Sequence, residues 1–308
     1  MTRFSRREFI AGASAVSAGA VLSGRQAFGQ SEEAEEKETP EDVPSPDYQI
    51  QNGRINQSVE AWCYDDTSNE ELIQACVDMG MPAIEGIDWE VHDKAVSAGL
   101  DISIVRSHPF KKGPVRKKNH DMVKSKLKKA IDVADEYDSP NVFTFTGYAD
   151  EDMPREEGAR NCVECWKDVM SYAEEKEVNV CLEHLNTRGK PPMRGHPGYF
   201  GDDVDFCVDL INRVGSERMK LIFDVYHVQI MNGDLIRRIE EYQDVIGLFH
   251  TAGVPGRKEL DDTQEVNYKP VMETILDTGY DGYVAQEFIP TWDDELAALR
   301  HAVQVCDV

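Results

Sequence analysis

A single closed α/β barrel, (β/α)8, is the fold class the sequence predicts, and three observations predict it. Short apolar or β-branched runs alternate with helical patterns eight times across about 260 residues from Gln51 onward, the number of units a closed parallel barrel requires. No break in composition divides that stretch, which argues for one domain over residues 51–308. An open doubly wound sheet would carry a glycine-rich phosphate turn after its first strand, and none follows residues 55–62.

The strands are expected at residues 55–62, 83–87, 102–105, 141–146, 179–184, 219–224, 246–250 and 283–287. Helices are expected among and after them, at 69–79 with Ser68 as N-cap, 122–137, 156–176, 203–214 and 269–278. Gly80, Gly99, Gly215 and Gly279 stand where helices should stop, because only glycine enters the left-handed region without penalty.

Two segments precede the barrel. Residues 1–29 hold Arg3, Arg6, Arg7 and Arg25 against Glu8, followed by a weakly apolar run and the small-x-small sequence Ala27-Phe28-Gly29. This reads as a twin-arginine signal peptide and an exported, periplasmic or extracytoplasmic protein. The run is shorter than the ~20 residues that span a bilayer, so the mature chain is expected to have no transmembrane domain. Residues 30–50 are rich in acids and prolines with almost nothing apolar, and read as a disordered tether.

The chain carries a formal net charge of -25, and without the signal (+3) and the tether (-7) the barrel itself holds -21. Such a surface repels phosphate backbones and excludes nucleic acid as an expected partner. A small molecule is the expected partner, and a homo-oligomer is compatible with the sequence. Seven scattered cysteines do not form a disulfide framework. The pair in Cys162-Val163-Glu164-Cys165 falls on an apolar helical stripe with Ala159, Trp166, Val169 and Ala173, and reads as packing. The basic run from Lys111 to Lys129 reads as a solvated face, while Trp62, Trp89 and His108 fall near strand ends where they either wall a pocket or pack the core.

The chemistry is expected where apolar strands end in polar residues, since barrel sites lie at the carboxyl ends of the strands. Four strands end that way: residues 178–182 run into Glu183, 221–223 into Asp224, 246–249 into His250 and 283–286 into Glu287. Charges there are costly unless paired or metal-bound. Three carboxylates and one imidazole form a mostly hard ligand set, suited to one divalent ion such as Mn²⁺, Mg²⁺ or Co²⁺.

The stretches LEHLN (182–186), FDVYHVQIMNGD (223–234), HTAGVPGR (250–257), DDTQEVNY (261–268) and GYVAQEF (282–288) resemble the hydroxypyruvate isomerase family. That family belongs to the xylose-isomerase-like TIM barrel superfamily of sugar isomerases and epimerases. The resemblance implies a divalent metal held by Glu183, Asp224, His250 and Glu287. It also implies Glu183 and Glu287 as catalytic groups on opposite sides of the substrate, with His227 and Arg257 binding its oxygens and Glu265 in the loop beside them. The implied reaction is a metal-dependent aldose–ketose isomerisation of a small hydroxy-carbonyl compound, tartronate semialdehyde and hydroxypyruvate, through an enediolate. Departures from the family pattern point toward a ketose 3-epimerase, or an enzyme of oxidised sugars, as the alternative. His250 stands where the isomerases carry glutamine, and Ile289 where a lysine is expected. Abasic-site endonucleases of the same superfamily need more histidines and a DNA-attracting surface. A non-catalytic envelope sugar-binding protein would normally need two lobes and a hinge.

Overall fold

The structure is a computed structural model that describes residues 40, 43–188 and 194–308. The expected signal segment, 1–29, lies outside the described residues, as does most of the tether.

Eight strands run in chain order: β1 (Asn56–Val59), β2 (Ala83–Ile84), β3 (Asp101–Ile102), β4 (Asn141–Phe145), β5 (Asn179–Glu183), β6 (Met219–Asp224), β7 (Ile246–Thr251) and β8 (Tyr283–Gln286). The helices among the described residues are α1 (Asn69–Met79), α2 (His92–Ser97), α3 (His120–Glu136), α4 (Arg155–Glu175), α5 (Val204–Val214), α6 (Val225–Met231), α7 (Leu235–Tyr242), α8 (Tyr268–Asp277) and α9 (Glu295–Cys306). Each strand is therefore followed by a helix, with α6 and α7 both following β6.

Strands β4 to β8 and β1 form one parallel sheet, and β2 with β3 another. Two bridges join them into a closed ring. Ala61 N–H donates to Glu85 O at 3.0 Å beside β1 and β2, and Val105 N–H donates to Asn141 O at 2.9 Å between β3 and β4. All pairings are parallel, so the carboxyl ends of the strands gather at one mouth.

The period of two along each strand sorts its side chains between barrel lumen and helix layer. Cys181, Ile222 and Leu248 belong to a buried lumen cluster with Phe143 and Phe145, while their neighbours Val180, Leu182, Leu221, Phe223 and Phe249 pack toward the helices. Two residues further along the lumen-facing rows stand Glu183, Asp224 and His250. The same alternation carries Ala285 to Glu287. A row that is apolar at the floor thus becomes charged at the mouth.

Local signals set the helix ends. Ser68 Oγ accepts the Glu71 N–H, and Glu71 reaches back to the Ser68 N–H, a reciprocal cap that fixes the start of α1. Asp203 and Asp294 cap α5 and α9 through the N–H groups of Phe206 and Ala297, each at 2.8 Å. Gly80 and Gly215 close α1 and α5 at φ 74° and 75°, a conformation a side chain would strain.

All seven cysteines are buried and free, and Cys162 and Cys165 pack α4 inward beside the fully buried Trp166. The basic run coats an outer face: Lys117 pairs with Glu164 and Lys124 with Asp168, tying the start of α3 and its preceding loop to α4. Trp89 lies under Lys129 on that outer side, and His108 is buried against Thr144 and Phe145. Of the three, only Trp62 reaches the mouth, as shown below.

One boundary moves. The end of the expected tether, residues 43–50, lies against the barrel, because Val43, Tyr48 and Ile50 are apolar groups amid the acids and pack on the core. Asp307 holds the chain that follows: its carboxylate accepts the N–H groups of Gln51 at 2.6 Å and of Asn52 and Gly53 at 3.0 Å. Charge-assisted bonds of this kind contribute about 1.5–3 kcal/mol. Asp307→Ala is expected to lower the unfolding free energy by about that much in urea titrations, with Asp307→Asn losing less.

Candidate metal centre

Glu183 ends β5, Asp224 ends β6, His250 lies one residue from the end of β7, and Glu287 follows β8. The parallel register sets Asp224 beside His250, and His250 beside Ala285 two residues before Glu287. All four are buried, and one ligand atom from each falls within 4.8 Å of the others. The group expected from four separate strand ends is thus a single cluster.

His250 occupies its centre. Its Nδ1 lies 2.6 Å from Glu287 Oε2 and 3.7 Å from Glu183 Oε1, while its Nε2 lies 2.9 Å from Glu85 Oε1. Arg257 reaches in from the loop after β7. Its Nη2 lies 2.5 Å from Glu287 Oε2 and 3.3 Å from Asp224 Oδ2, and its Nε–H donates to Glu287 O. The guanidinium sits between the rings of Trp62 and Tyr226, at 5.5 and 5.6 Å. Trp62 also donates its indole N–H to Glu287 Oε1 at 3.2 Å.

The backbone makes that approach at a local cost. Arg257 has φ 56°, a left-handed conformation unusual for a residue other than glycine, and its carbonyl accepts the Ile289 N–H at 2.7 Å. The loops after β7 and β8 are therefore tied together where the guanidinium enters.

Burial dominates the charge states. It pushes Glu183 up to about 7, helped by Glu287, and Asp224 up to about 6 despite Arg257 beside it. Burial would raise Glu287 too, but Arg257 and His250 outweigh it and hold that carboxyl at about 2. For His250 burial favours the neutral ring, and Glu287 and Glu85 together overcome it, raising the imidazole well above its ordinary value. For His227 burial comes first, and with Arg257 it presses the ring well below its ordinary value although Asp224 Oδ2 lies 3.5 Å from Nε2.

The residues fit a divalent cation. His250 Nδ1 and Glu287 Oε2 are buried and in contact, yet neither is aligned for a hydrogen bond. Three carboxylates and one imidazole give oxygen and nitrogen donors of the hard to borderline kind. Glu85 on the far nitrogen of His250 is the usual carboxylate partner of a metal-binding histidine, holding the ring so that Nδ1 faces the centre.

His227 and Arg257 both lie against Asp224 of the cluster. His227 is fully buried, with Nε2 at 3.5 Å from Asp224 Oδ2 and its backbone N–H donating to Asp224 Oδ1. Glu265 is in the loop after β7 but is exposed at the rim, where it accepts a hydrogen bond from Gln229 at 3.0 Å.

Several residues of the site were not anticipated. Glu60 and Glu85 follow β1 and β2 and are buried beneath the mouth. Burial lifts Glu60 to about 8 in spite of Arg106 at 3.2 Å. Glu85 accepts a hydrogen bond from Ser103, which is 2.8 Å from Ser58. The signal was present in the rule already used, since Glu85 ends the apolar pair Ala83-Ile84. Gly86 leaves room for this layer: a Cβ there would fall 1.4 Å from Glu60 Oε1 and 2.9 Å from the Ala61 nitrogen.

Comparison with known proteins extends these observations. The family model Xylose isomerase-like TIM barrel matches residues 70–306. The 2-oxo-tetronate isomerase of Cupriavidus necator is 30% identical over 164 residues, covering 53% of this chain and 60% of that protein. The hydroxypyruvate isomerase of Escherichia coli is 34% identical over 104 residues, covering 34% and 40%. The aligned stretches thus span less than two thirds of these relatives' lengths. Among solved structures, the D-psicose 3-epimerase of Clostridium cellulolyticum H10 superposes with a TM-score of 0.67 at 16% identity, covering 82% of this chain and 97% of that one. An AP endonuclease, family 2, from Brucella melitensis gives a TM-score of 0.67 at 20% identity, covering 80% and 93%. Likeness at that identity speaks for the fold alone. With the barrel closed, its mouth holding the buried carboxylate and histidine cluster, and the family model matched over most of its length, the chain belongs to the Xylose isomerase-like TIM barrel family.

Proposed function

We propose that the protein is a metal-dependent isomerase of a small hydroxy-carbonyl compound, similar to the hydroxypyruvate isomerases. The observation that carries this reading is the pair Glu183 and Glu287, both reaching toward His250 Nδ1 in a buried four-ligand cluster. Glu183, Asp224, His250 and Glu287 would hold the ion. A divalent ion there would supply Lewis acidity that acidifies the carbon next to the substrate carbonyl.

The remaining work belongs to the chain. Removing a proton from the carbon next to a carbonyl and returning one to its neighbour needs a carboxylate near each. Glu183 and Glu287 supply two, and Trp62 and Arg257 hold Glu287 from two sides. His227 and Arg257 are placed to orient substrate oxygens beside Asp224. Phe143 lies 5.9 Å from the His250 ring and stacks on Phe145, which the register sets beside Glu183, so that an apolar wall flanks the cluster.

Histidine at position 250 favours a second reading, a ketose 3-epimerase or an enzyme of oxidised sugars, which needs the same two carboxylates. We also propose that the barrel works outside the cytoplasm, a reading supported by the Arg6-Arg7 motif. Among the described residues no helix is long and apolar enough to cross a membrane.

Metal-loaded protein is expected to convert tartronate semialdehyde to hydroxypyruvate, with Glu183→Gln slower by about 10²–10⁴-fold. Equal rates for the two proteins would remove the proposed substrate. A ketose panel in deuterated water separates the second reading, which requires label at carbon 3. Chelation should lower both activity and melting temperature, and Mn²⁺, Mg²⁺ or Co²⁺ should restore them; at ion concentrations near a hundred times Kd the stabilisation is about 2.7 kcal/mol. Asp224→Asn should abolish that ion-dependent rise. Replacing Arg6 and Arg7 together by lysine is expected to retain the protein in the cytoplasm, read by cell fractionation.

A further inference from the structure

His227 carries two nitrogens with different surroundings. On one side, the backbone N–H of Asn186 donates to Nδ1 at 3.1 Å, and the Asn186 side-chain nitrogen lies 2.9 Å from the same atom. A backbone N–H can only donate, so Nδ1 must be an acceptor without a proton. The side-chain amide is not free to turn over, because its Oδ1 accepts the Arg188 N–H at 3.0 Å. Gly195 leaves room for that oxygen: a Cβ at this position would come within 2.2 Å of it.

On the other side, a neutral imidazole whose Nδ1 accepts must carry its hydrogen on Nε2. That Nε2–H is buried and has no hydrogen-bond partner among the described residues. Its nearest acidic oxygen, Asp224 Oδ2, is 3.5 Å away and also lies 3.3 Å from Arg257 Nη2. An unpaired buried donor is costly, and a ligand oxygen placed between these groups would recover that cost.

We propose that Asn186 is a positioning residue that fixes His227 as an Nε2–H donor aimed at a substrate oxygen beside Asp224. Asn186 acts through His227 and touches no reacting atom. The oxygen is one of the pair in the hydroxy-carbonyl unit, an assignment that rests on the isomerase reading. The tautomer does not rest on it. A ring held as donor stabilises an oxygen that gains negative charge, whereas the opposite tautomer would present a lone pair and repel it.

The experiment compares Asn186→Ala with Asn186→Asp. The alanine variant keeps the backbone N–H and therefore the tautomer. The aspartate variant keeps the size but presents a charged acceptor, which draws a proton onto Nδ1 and displaces the backbone N–H that donates there in the wild type. Long-range ¹H–¹⁵N spectra of histidine-labelled, Mg²⁺-loaded protein, without substrate and assigned by the signal lost in His227→Gln, should show the Nε2–H form in the wild type and Asn186→Ala. They should show a protonated Nδ1 in Asn186→Asp. Turnover should fall about 10–100-fold in Asn186→Asp and less in Asn186→Ala, with Mn²⁺ affinity little changed in both. A purely structural role predicts the reverse order, alanine being the worse. An Nδ1–H form in the wild type overturns the proposal, as does that reversed order. Absence of turnover on every hydroxy-carbonyl compound would instead overturn the isomerase reading, leaving the tautomer to be decided by the spectra.

Discussion

Five carboxylates share one dry end of the barrel, and their mutual repulsion is the constraint around which the mouth is built. Glu60, Glu85, Glu183, Asp224 and Glu287 are each at most 5% exposed, and they face Arg257, Arg106 and the imidazole of His250. Water is not there to screen them, so every neighbour must either supply positive charge or donate a hydrogen bond. Arg257 adopts a left-handed backbone to reach two of them, Trp62 turns its N–H toward a third oxygen, and Ser103 serves Glu85. A divalent cation at the centre would complete the same balance.

The two halves of the barrel divide the task. Strands β5 to β8 carry the ligand set at their ends, whereas β1 and β2 carry the acids that stand behind it. Glu85 couples the halves, because its carboxylate meets a histidine 165 positions later in the chain. The positions of the ligands thus depend on the barrel being closed, since a ring opened between β1 and β2 or between β3 and β4 would separate Glu85 from His250.

Much of this was legible in the sequence, for identifiable reasons. The longer strands were found because their apolar runs end in charge, and Ser68, Gly80 and Gly215 marked helix ends through local chemistry alone. Glu183, Asp224, His250 and Glu287 followed from strand ends that must converge in a ring. Glu60 and Glu85 did not, because the expected strands 55–62 and 83–87 ran past them, whereas β1 and β2 stop at Val59 and Ile84 and leave each acid at a strand end. The tether was judged by its acids, and the three apolar side chains that bind its last residues to the core were outnumbered in composition. Asn186 was invisible as a group with a task, since its action depends on where a histidine 41 positions away points its ring.

The pairing of β1 with β8, and the grip of Asp307 on residues 51–53, have a meaning in time as well as in space. The first strand has to wait for its partner until the last strand has been synthesised, and the chain before it waits for Asp307. The ring between β1 and β8 therefore cannot close before β8 has been made. An export route that carries folded cargo, as proposed for this protein, would therefore receive a barrel that closes only once β8 and Asp307 are in place.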